Sequence, residues 1–171
     1  MGYLTDKTTY LAGNIHSTSN NDYGVGWRDK ITPIVEDRFK VKVINPCKDG
    51  EGDSKQDQLY FRQLIKERKF VELKEEFYKV IRKDLKAVDK ADFIIFYHNP
   101  KIPTIGTIHE VINAANQKKP VLIVCDEDNI DHLNPWLLTI IKPQWLFTTW
   151  DAMIEYLDGV NNGKIETSHW W

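Results

Sequence analysis

The segment GTIHE, from Gly106 to Glu110, carries the residues of this sequence best suited to chemistry. It follows an apolar run and a proline-containing loop, which places Glu110 near the start of an amphipathic helix. Thr107 and Glu110 have the spacing of a capping box, in which threonine caps backbone N–H groups and glutamate reaches back to the cap residue. On pattern alone, this structural role is the commoner one.

The same carboxylate also suits catalysis. In the first turn of a helix it is held ionised by the helix dipole, and at the carboxyl edge of a parallel sheet it faces the ligand crevice. An ionised and oriented carboxylate can attack the anomeric carbon of a sugar, and the glycosyl ester that forms is then opened by a second base or by water. Glu110 is therefore a candidate nucleophile as well as a candidate cap.

A second segment of interest follows the apolar run TTYLAG, which begins at Thr8. It continues through Gly13 and Asn14 to Trp27 and Arg28. Small residues let a ligand approach the backbone, and Arg28 could meet a phosphate or a sugar. The alternative is that Trp27 packs on the sheet beside a solvated arginine. The glycine spacing does not match the dinucleotide fingerprint, which disfavours a nicotinamide-dependent oxidoreductase.

Acidic residues precede the third apolar run in the segment DLKAVDKAD, which contains Asp84, Asp89 and Asp92. One of them could protonate a departing base or hold it in place. Solvated surface charges are nevertheless the default for such positions, and Asp92, at the start of a strand, is expected to be structural.

The five histidines show no ligand spacing such as HExxH, so we expect no metal site. The chemistry considered for Glu110 requires no cofactor. His98 differs from the others because it directly follows the strand that precedes the Glu110 loop. Cys47 and Cys125 belong to no cysteine cluster and are predicted to be reduced, with Cys125 buried.

Five short apolar runs alternate with longer amphipathic stretches, which is the pattern of βαβ units. The runs are TTYLAG from Thr8, VKVIN from Val41, DFIIFYH from Asp92, PVLIVC from Pro120 and QWLFTTW from Gln144. The third and fourth runs are nearly all apolar, as in strands that helices cover on both faces. The sequence therefore predicts an α/β fold, a parallel sheet flanked by helices, in one domain spanning residues 1–171.

Between these runs, the polar segment from Cys47 to Asp57 is predicted to be a loop, and much of the segment from Gln58 to Lys90 is predicted to be helical. The terminal Trp170 and Trp171 are expected to dock on this chain or on a neighbour. A net charge of -2 with interleaved signs excludes a basic stripe for a nucleic acid polymer. No apolar run is long enough to span a membrane and no signal peptide is evident, so a cytoplasmic protein is expected.

The chain resembles the nucleoside 2-deoxyribosyltransferase family, which includes the 2′-deoxynucleoside 5′-phosphate N-hydrolases. The resemblance covers about Tyr10 to Val124. Its motifs, in order, are YLAG at Tyr10, WR at Trp27, NP at Asn45, DLKAVDKAD at Asp84, GTIHE at Gly106 and KPVLIV at Lys119.

The resemblance implies a five-stranded parallel sheet of Rossmann-like or flavodoxin-like type, and it implies roles for particular residues. Glu110 would be the nucleophile, Asp84 would engage the nucleobase, and Tyr10 would orient the nucleophile and the sugar. We expect the substrate-binding residues to come from the loops that follow the strands: Gly13, Asn14, Trp27, Arg28, His98, Thr104, Gly106 and Asn134. Asn134 would complete the site of a neighbouring subunit in a homo-oligomer.

One position departs from the pattern of the transferases, which usually place an aspartate six residues before the nucleophile to hold the sugar hydroxyls. That position is Thr104 here, and the hydrolase relatives tend to place a serine there that contacts the 5′-phosphate. A threonine hydroxyl can donate to a phosphate oxygen, whereas an aspartate would repel it. Both a free 2′-deoxynucleoside with transfer to a second base and a 5′-monophosphate with hydrolysis stay open, as does a nucleotide-binding module without catalysis.

Overall fold

The computed structural model describes residues 2–15, 24–48, 55–168 and 170, and in these residues strands and helices alternate. The strands are β1 (Thr8–Gly13), β2 (Lys42–Ile44), β3 (Phe93–Tyr97), β4 (Val121–Val124) and β5 (Leu146–Phe147). The α-helices are α1 (Val25–Phe39), α2 (Lys55–Lys66), α3 (Phe70–Lys90), α4 (Ile105–Asn116), α5 (Pro135–Ile140) and α6 (Trp150–Asn161). Short 3-10 helices cover Glu127–His132 and Pro143–Trp145.

The strands form one five-stranded sheet in the order β2-β1-β3-β4-β5. Every pair is parallel, with Tyr10 of β1 opposite Ile44 of β2 and Ile94 of β3. This confirms the predicted α/β fold. All four residues of β4 are buried, as are the first four of β3, because helices cover both faces of the central strands.

The connections leave the middle of the sheet in two directions, which creates a crevice at its carboxyl edge. The chain passes from β1 to β2 on one side, whereas it passes from β3 to β4 and β5 on the other side. Right-handed crossovers place the helices of these two sets on opposite faces. Helices α3 and α4 pack against each other and against β1, while α1 packs against α6. In such sheets the ligand site lies where the strand order reverses, here between the ends of β1 and β3.

The helical prediction for Gln58 to Lys90 is confirmed, but two helices share the segment. Helix α2 ends at Lys66 and α3 begins at Phe70, and between them Arg68 has a φ of 57°, which no helix accommodates. Helix α2 begins at Lys55, inside the predicted loop, and residues 49–54 of that loop lie outside the described residues.

Trp170 docks on its own chain. Its side chain is 1% exposed and its ring lies 5.2 Å from that of Phe93 at the start of β3. Its indole N–H donates to the Tyr156 hydroxyl of α6 at 3.2 Å, and the Trp145 indole donates to the same oxygen at 2.9 Å. The tail segment thereby closes the core beneath β3. The other terminal tryptophan, Trp171, lies outside the described residues.

The predictions for Asp92 and Cys125 are confirmed. The Asp92 carboxylate accepts the backbone N–H of Thr8 at 2.7 Å and lies 3.9 Å from Lys7 Nζ, so it fixes the start of β1. Cys125 is buried, and burial raises the pKa of its thiol to about 11.

Among the residues that the structure describes, no helix is both long and apolar enough to cross a membrane.

Candidate active site

A cavity of about 360 Å³ lies beside the carboxyl half of β1, between α3 and α4. It combines polar groups with apolar side chains, as small-molecule sites do. Its polar side chains are Tyr10, Arg28, Gln58, Asp84, Thr104, Thr107, His109 and Glu110, and Gly13 and Gly106 contribute backbone. The three residues predicted to be catalytic are therefore brought together from β1, α3 and α4, although they are widely separated in the sequence.

Tyr10 and Glu110 form a direct hydrogen bond. The Tyr10 side chain is 1% exposed, and its hydroxyl donates to Glu110 Oε1 at 3.0 Å. Burial raises the pKa of Tyr10 well above its usual value, and the charges of Glu110 and Asp84 raise it further. The phenol therefore keeps its proton at any ordinary pH, and a fixed donor holds the Glu110 carboxylate in one orientation.

Glu110 is not a helix cap, so the capping-box prediction is wrong. Helix α4 begins at Ile105 with Thr104 as its N-cap, which places Glu110 in the second turn. The Thr104 hydroxyl donates to the Thr107 hydroxyl at 2.6 Å, and the Thr104 side chain makes no capping hydrogen bond to the helix. The argument from the helix dipole also fails, because that effect falls off within the first turn. The structural role that competed with catalysis at Glu110 is thereby removed.

Asp84 projects from α3 into the wall of the same cavity. Its side chain is 13% exposed, and Oδ1 lies 3.7 Å from Lys83 Nζ. Its charge contributes to the raised pKa of Tyr10, which lines the same cavity. Of the other acidic residues in this segment, Asp89 lies on the surface, where it accepts a hydrogen bond from Gln117 at 2.7 Å.

Gln58 is a cavity residue that sequence reasoning missed. It lies on α2, is 7% exposed and lines the wall together with Asp84. A buried amide offers both donors and an acceptor to the edge of a heterocyclic base. The only available signal was its apolar neighbourhood on α2, since a glutamine in a charged helix is otherwise an ordinary surface residue.

Arg28 lines the cavity, but its guanidinium donates hydrogen bonds to backbone carbonyl groups. The side chain is fully buried, and it donates to the carbonyls of Leu11 at 3.3 Å, Gly13 at 2.9 Å and Gly24 at 2.7 Å. It also lies 4.4 Å from the Trp27 ring. These bonds tie α1 to the end of β1, and Gly24 permits them because its φ of 74° suits a residue without a side chain. Arg28 is thus neither solvated nor extended toward the open part of the cavity.

Of the remaining predicted binding residues, all but Thr104 lie in other cavities. Asn14 and Trp27 line a cavity between α1 and α6. His98 and Asn134 line a third cavity, beside α5. Thr104 lines both this third cavity and the Glu110 cavity. Asn134 is exposed and its side chain caps α5 by accepting the Trp136 N–H at 2.9 Å.

His98 is a neutral residue of the interior. It is 6% exposed, its ring lies 4.7 Å from that of Phe96, and burial lowers its pKa to about 4. It therefore carries no charge with which to hold a phosphate. His16 and His169 lie outside the described residues, and in the described ranges no three histidine, cysteine or acidic side chains are arranged to hold a metal ion.

Comparison with known structures identifies the fold. The chain is similar to a 2-deoxyribosyltransferase from Leishmania mexicana, with 18% identity, a TM-score of 0.58, and coverage of 88% of this chain and 96% of that one. It is similar to a 2-deoxyribosyltransferase from Bacillus psychrosaccharolyticus at 16% identity and a TM-score of 0.55, covering 84% and 88% of the two chains. The chain is also similar to a conserved protein from Enterococcus faecalis V583, with 14% identity, a TM-score of 0.57, and coverage of 94% of this chain and 100% of that one.

The chain therefore has the fold of the nucleoside 2-deoxyribosyltransferases, and the resemblance seen in the sequence is confirmed at the level of the fold. No protein-family model and no curated protein sequence matches it.

Replacing Tyr10 by phenylalanine tests the hydrogen bond from its hydroxyl to Glu110, which joins two predicted catalytic residues. If the catalytic roles expected from the sequence hold, Tyr10→Phe lowers the rate of base release from a 2′-deoxynucleoside by about 10- to 100-fold, because a hydrogen bond to a charged group is worth about 1.5–3 kcal/mol. The measurement is the initial rate of base release at saturating substrate. Tyr60→Phe, which removes an exposed phenol bonded to Glu72, is the matched control and should leave the rate unchanged. Equal rates for Tyr10→Phe and wild type would contradict the orienting role.

Proposed function

We propose that the protein is an enzyme that cleaves the N-glycosidic bond of 2′-deoxynucleosides and transfers the sugar to another base, with Glu110 as nucleophile. The observation that carries this proposal is the hydrogen bond from the Tyr10 phenol to Glu110 within a cavity that also contains Asp84. A carboxylate with no capping function, oriented by a buried donor at the carboxyl edge of β1, is the arrangement that covalent glycosyl transfer requires.

The first half of the reaction forms a bond from a Glu110 oxygen to the anomeric carbon while the bond from that carbon to the base nitrogen breaks. The electron pair leaves with the base, and Asp84, which takes up a proton from solvent, passes that proton to the departing nitrogen. The oxocarbenium-like transition state gains from the nearby negative charge. Tyr10 keeps its own proton throughout, because its pKa is raised.

The second half reverses these changes with a different base. The incoming base nitrogen attacks the anomeric carbon, the bond to Glu110 breaks and the carboxylate is restored. Asp84 receives the proton that the incoming nitrogen loses and returns it to solvent, so the enzyme is back in its initial state. In this proposal Gln58, which is buried and lines the same cavity as Asp84, binds the edge of either base.

Hydrolysis of a 5′-monophosphate is the second candidate, and the start of α4 favours it. Thr104 to Thr107 line the cavity, and the first turn of α4 contains no acidic residue. Backbone N–H groups at a helix N-terminus, together with a threonine hydroxyl, suit a phosphate. Water in place of a second base would then open the glycosyl ester.

One incubation experiment separates these activities. The protein is incubated with a 2′-deoxynucleoside, and separately with its 5′-monophosphate, each with and without a second free base, and the products are separated. A new nucleoside that forms only with the second base establishes transfer, whereas base released chiefly from the monophosphate establishes hydrolysis. Ribonucleosides are the control and should react more slowly, because a 2′-hydroxyl disfavours the oxocarbenium ion. Tight binding of a deoxynucleotide without any base release would instead support a binding module.

Thr104 decides between a phosphate and a free sugar hydroxyl in this proposal. We expect Thr104→Asp to raise the KM of the monophosphate by at least about tenfold, because a carboxylate repels the phosphate, while the KM of the free nucleoside changes little or falls. The measurement is the ratio of kcat/KM for the two substrates. Thr139→Asp, at an exposed position on α5, is the control. An unchanged ratio in Thr104→Asp would remove Thr104 from substrate recognition.

Asn134 and a homo-oligomer remain predictions. Asn134 does not reach the Glu110 cavity of its own chain, so any role in catalysis requires a neighbouring subunit.

A further inference from the structure

A second cavity, of about 550 Å³, lies between the first turns of α1 and α6. It opens at the same carboxyl edge of the sheet as the Glu110 cavity but on the other face. Trp27, Tyr97 and Trp150 line it, and none of these aromatic residues lines the Glu110 cavity. The two cavities are therefore chemically distinct.

The aromatic side chains of this cavity form one continuous surface. The rings of Trp27 and Trp150 are stacked, with centroids 5.5 Å apart and planes at 22°. The Tyr97 ring lies 5.6 Å from Trp27 and 5.4 Å from Trp150. All three side chains are only partly buried and line the cavity, so part of this aromatic surface is exposed there. Surfaces of this kind bind planar heterocycles by stacking.

Asn14 supplies a polar group without a partner. Its side chain is 7% exposed, it lines this cavity, and its Oδ1 meets no hydrogen-bond donor in the part of the chain that the structure describes. A buried acceptor left unpaired lowers stability, so its presence needs an explanation. The backbone segments are closely packed there, because a Cβ atom at Gly24 would lie 2.1 Å from the Asn14 carbonyl oxygen.

We propose that this cavity binds a planar nitrogen heterocycle of the free-nucleobase class. The ring stacks on the Trp27 and Trp150 surface, and a ring or exocyclic N–H donates to Asn14 Oδ1. The acceptor selects ligands with an N–H donor, whereas the aromatic surface selects flat ones. The inference rests on this cavity alone and is independent of the chemistry proposed at Glu110.

The test is a titration of the whole chain with adenine, monitored by the NMR signals of the tryptophan indole N–H groups. The signals that disappear in Trp27→Phe and in Trp150→Phe are assigned to Trp27 and Trp150. We expect saturable shifts of the Trp27 and Trp150 signals. In Asn14→Leu, the affinity falls at least tenfold, while the melting temperature is unchanged or higher, because an apolar group of similar size replaces an unpaired acceptor. Trp150→Leu, which removes one stacking face, weakens binding in the same way and serves as the second variant.

Asp84→Ala separates this site from the Glu110 cavity, because Asp84 lines only the latter. Unchanged indole shifts in this variant support the proposal even if the protein releases no base from any nucleoside. Indole shifts that vanish in Asp84→Ala, that persist at full affinity in Asn14→Leu, or that are absent from wild type at millimolar adenine would each overturn it.

Discussion

Replacing Glu110 by glutamine is expected to lower base release from a 2′-deoxynucleoside by at least about a thousandfold, because losing the nucleophile alone can cost about as much as losing the whole catalytic set. The glutamine side chain has the same size and can still accept the hydrogen bond from Tyr10, so the fold and the cavity should be retained. An amide does not form the glycosyl ester. Initial rates of base release, measured for wild type and variant at equal protein concentration, give the ratio.

A second glutamate provides the control for this substitution. Glu75 lies exposed on α3, and Glu75→Gln should leave both the rate and the melting temperature unchanged. A Glu110→Gln variant that stays within tenfold of wild type while remaining folded would contradict the nucleophile assignment. Substrate binding by Glu110→Gln without turnover would agree with it, because the variant keeps the cavity and loses only the chemical step.

Trp170→Ala is expected to destabilise the protein by about 3–5 kcal/mol, the range for truncating a fully buried large aromatic side chain. The indole is 1% exposed, packs on Phe93 and shares the Tyr156 hydroxyl with Trp145, so its loss leaves a cavity beneath β3. For a domain of this size we expect the melting temperature to fall by roughly 10 °C. Thermal and urea unfolding measure the change.

Phe70→Ala is the matched control for this prediction. Phe70 is 57% exposed at the start of α3, and truncation there should change the free energy of unfolding by less than about 0.5 kcal/mol. A loss below about 1 kcal/mol in Trp170→Ala would show that the C-terminal segment does not contribute to the core. The prediction concerns stability alone, since Trp170 lines neither the Glu110 cavity nor the aromatic cavity.

The fold could be predicted from the sequence because its signals are local. A run such as VLIV, apolar at every position, identifies a strand that helices cover on both faces, and β4 is buried throughout. The sequence did not predict where each strand and helix begins and ends. Strand β5 is only Leu146–Phe147, and α4 begins at Ile105. The loop before α4 contains Pro103, and no pattern within GTIHE shows on which residue the helix starts.

The resemblance to a family selected Tyr10, Asp84 and Glu110, and the structure brings all three to one cavity. It gave no indication of Gln58, because a side chain on α2 enters the cavity only through the packing of α2 and α3. The expectation for Arg28 was incomplete for a similar reason. Its burial follows from the approach of α1 to the end of β1, and carbonyls from separate segments then take up its donors.

The sequence by itself determined the alternation of strands and helices, the parallel sheet and the carboxylate that is the candidate nucleophile, because hydrophobic periodicity and motif order are properties of neighbouring residues. Only the tertiary structure decided which side chains share a cavity. Asn14 and Glu110 both follow strand ends, yet they line different cavities. Successive residues of a strand such as β1 point to opposite faces of the sheet, and the crossovers place α1 and α4 on opposite faces.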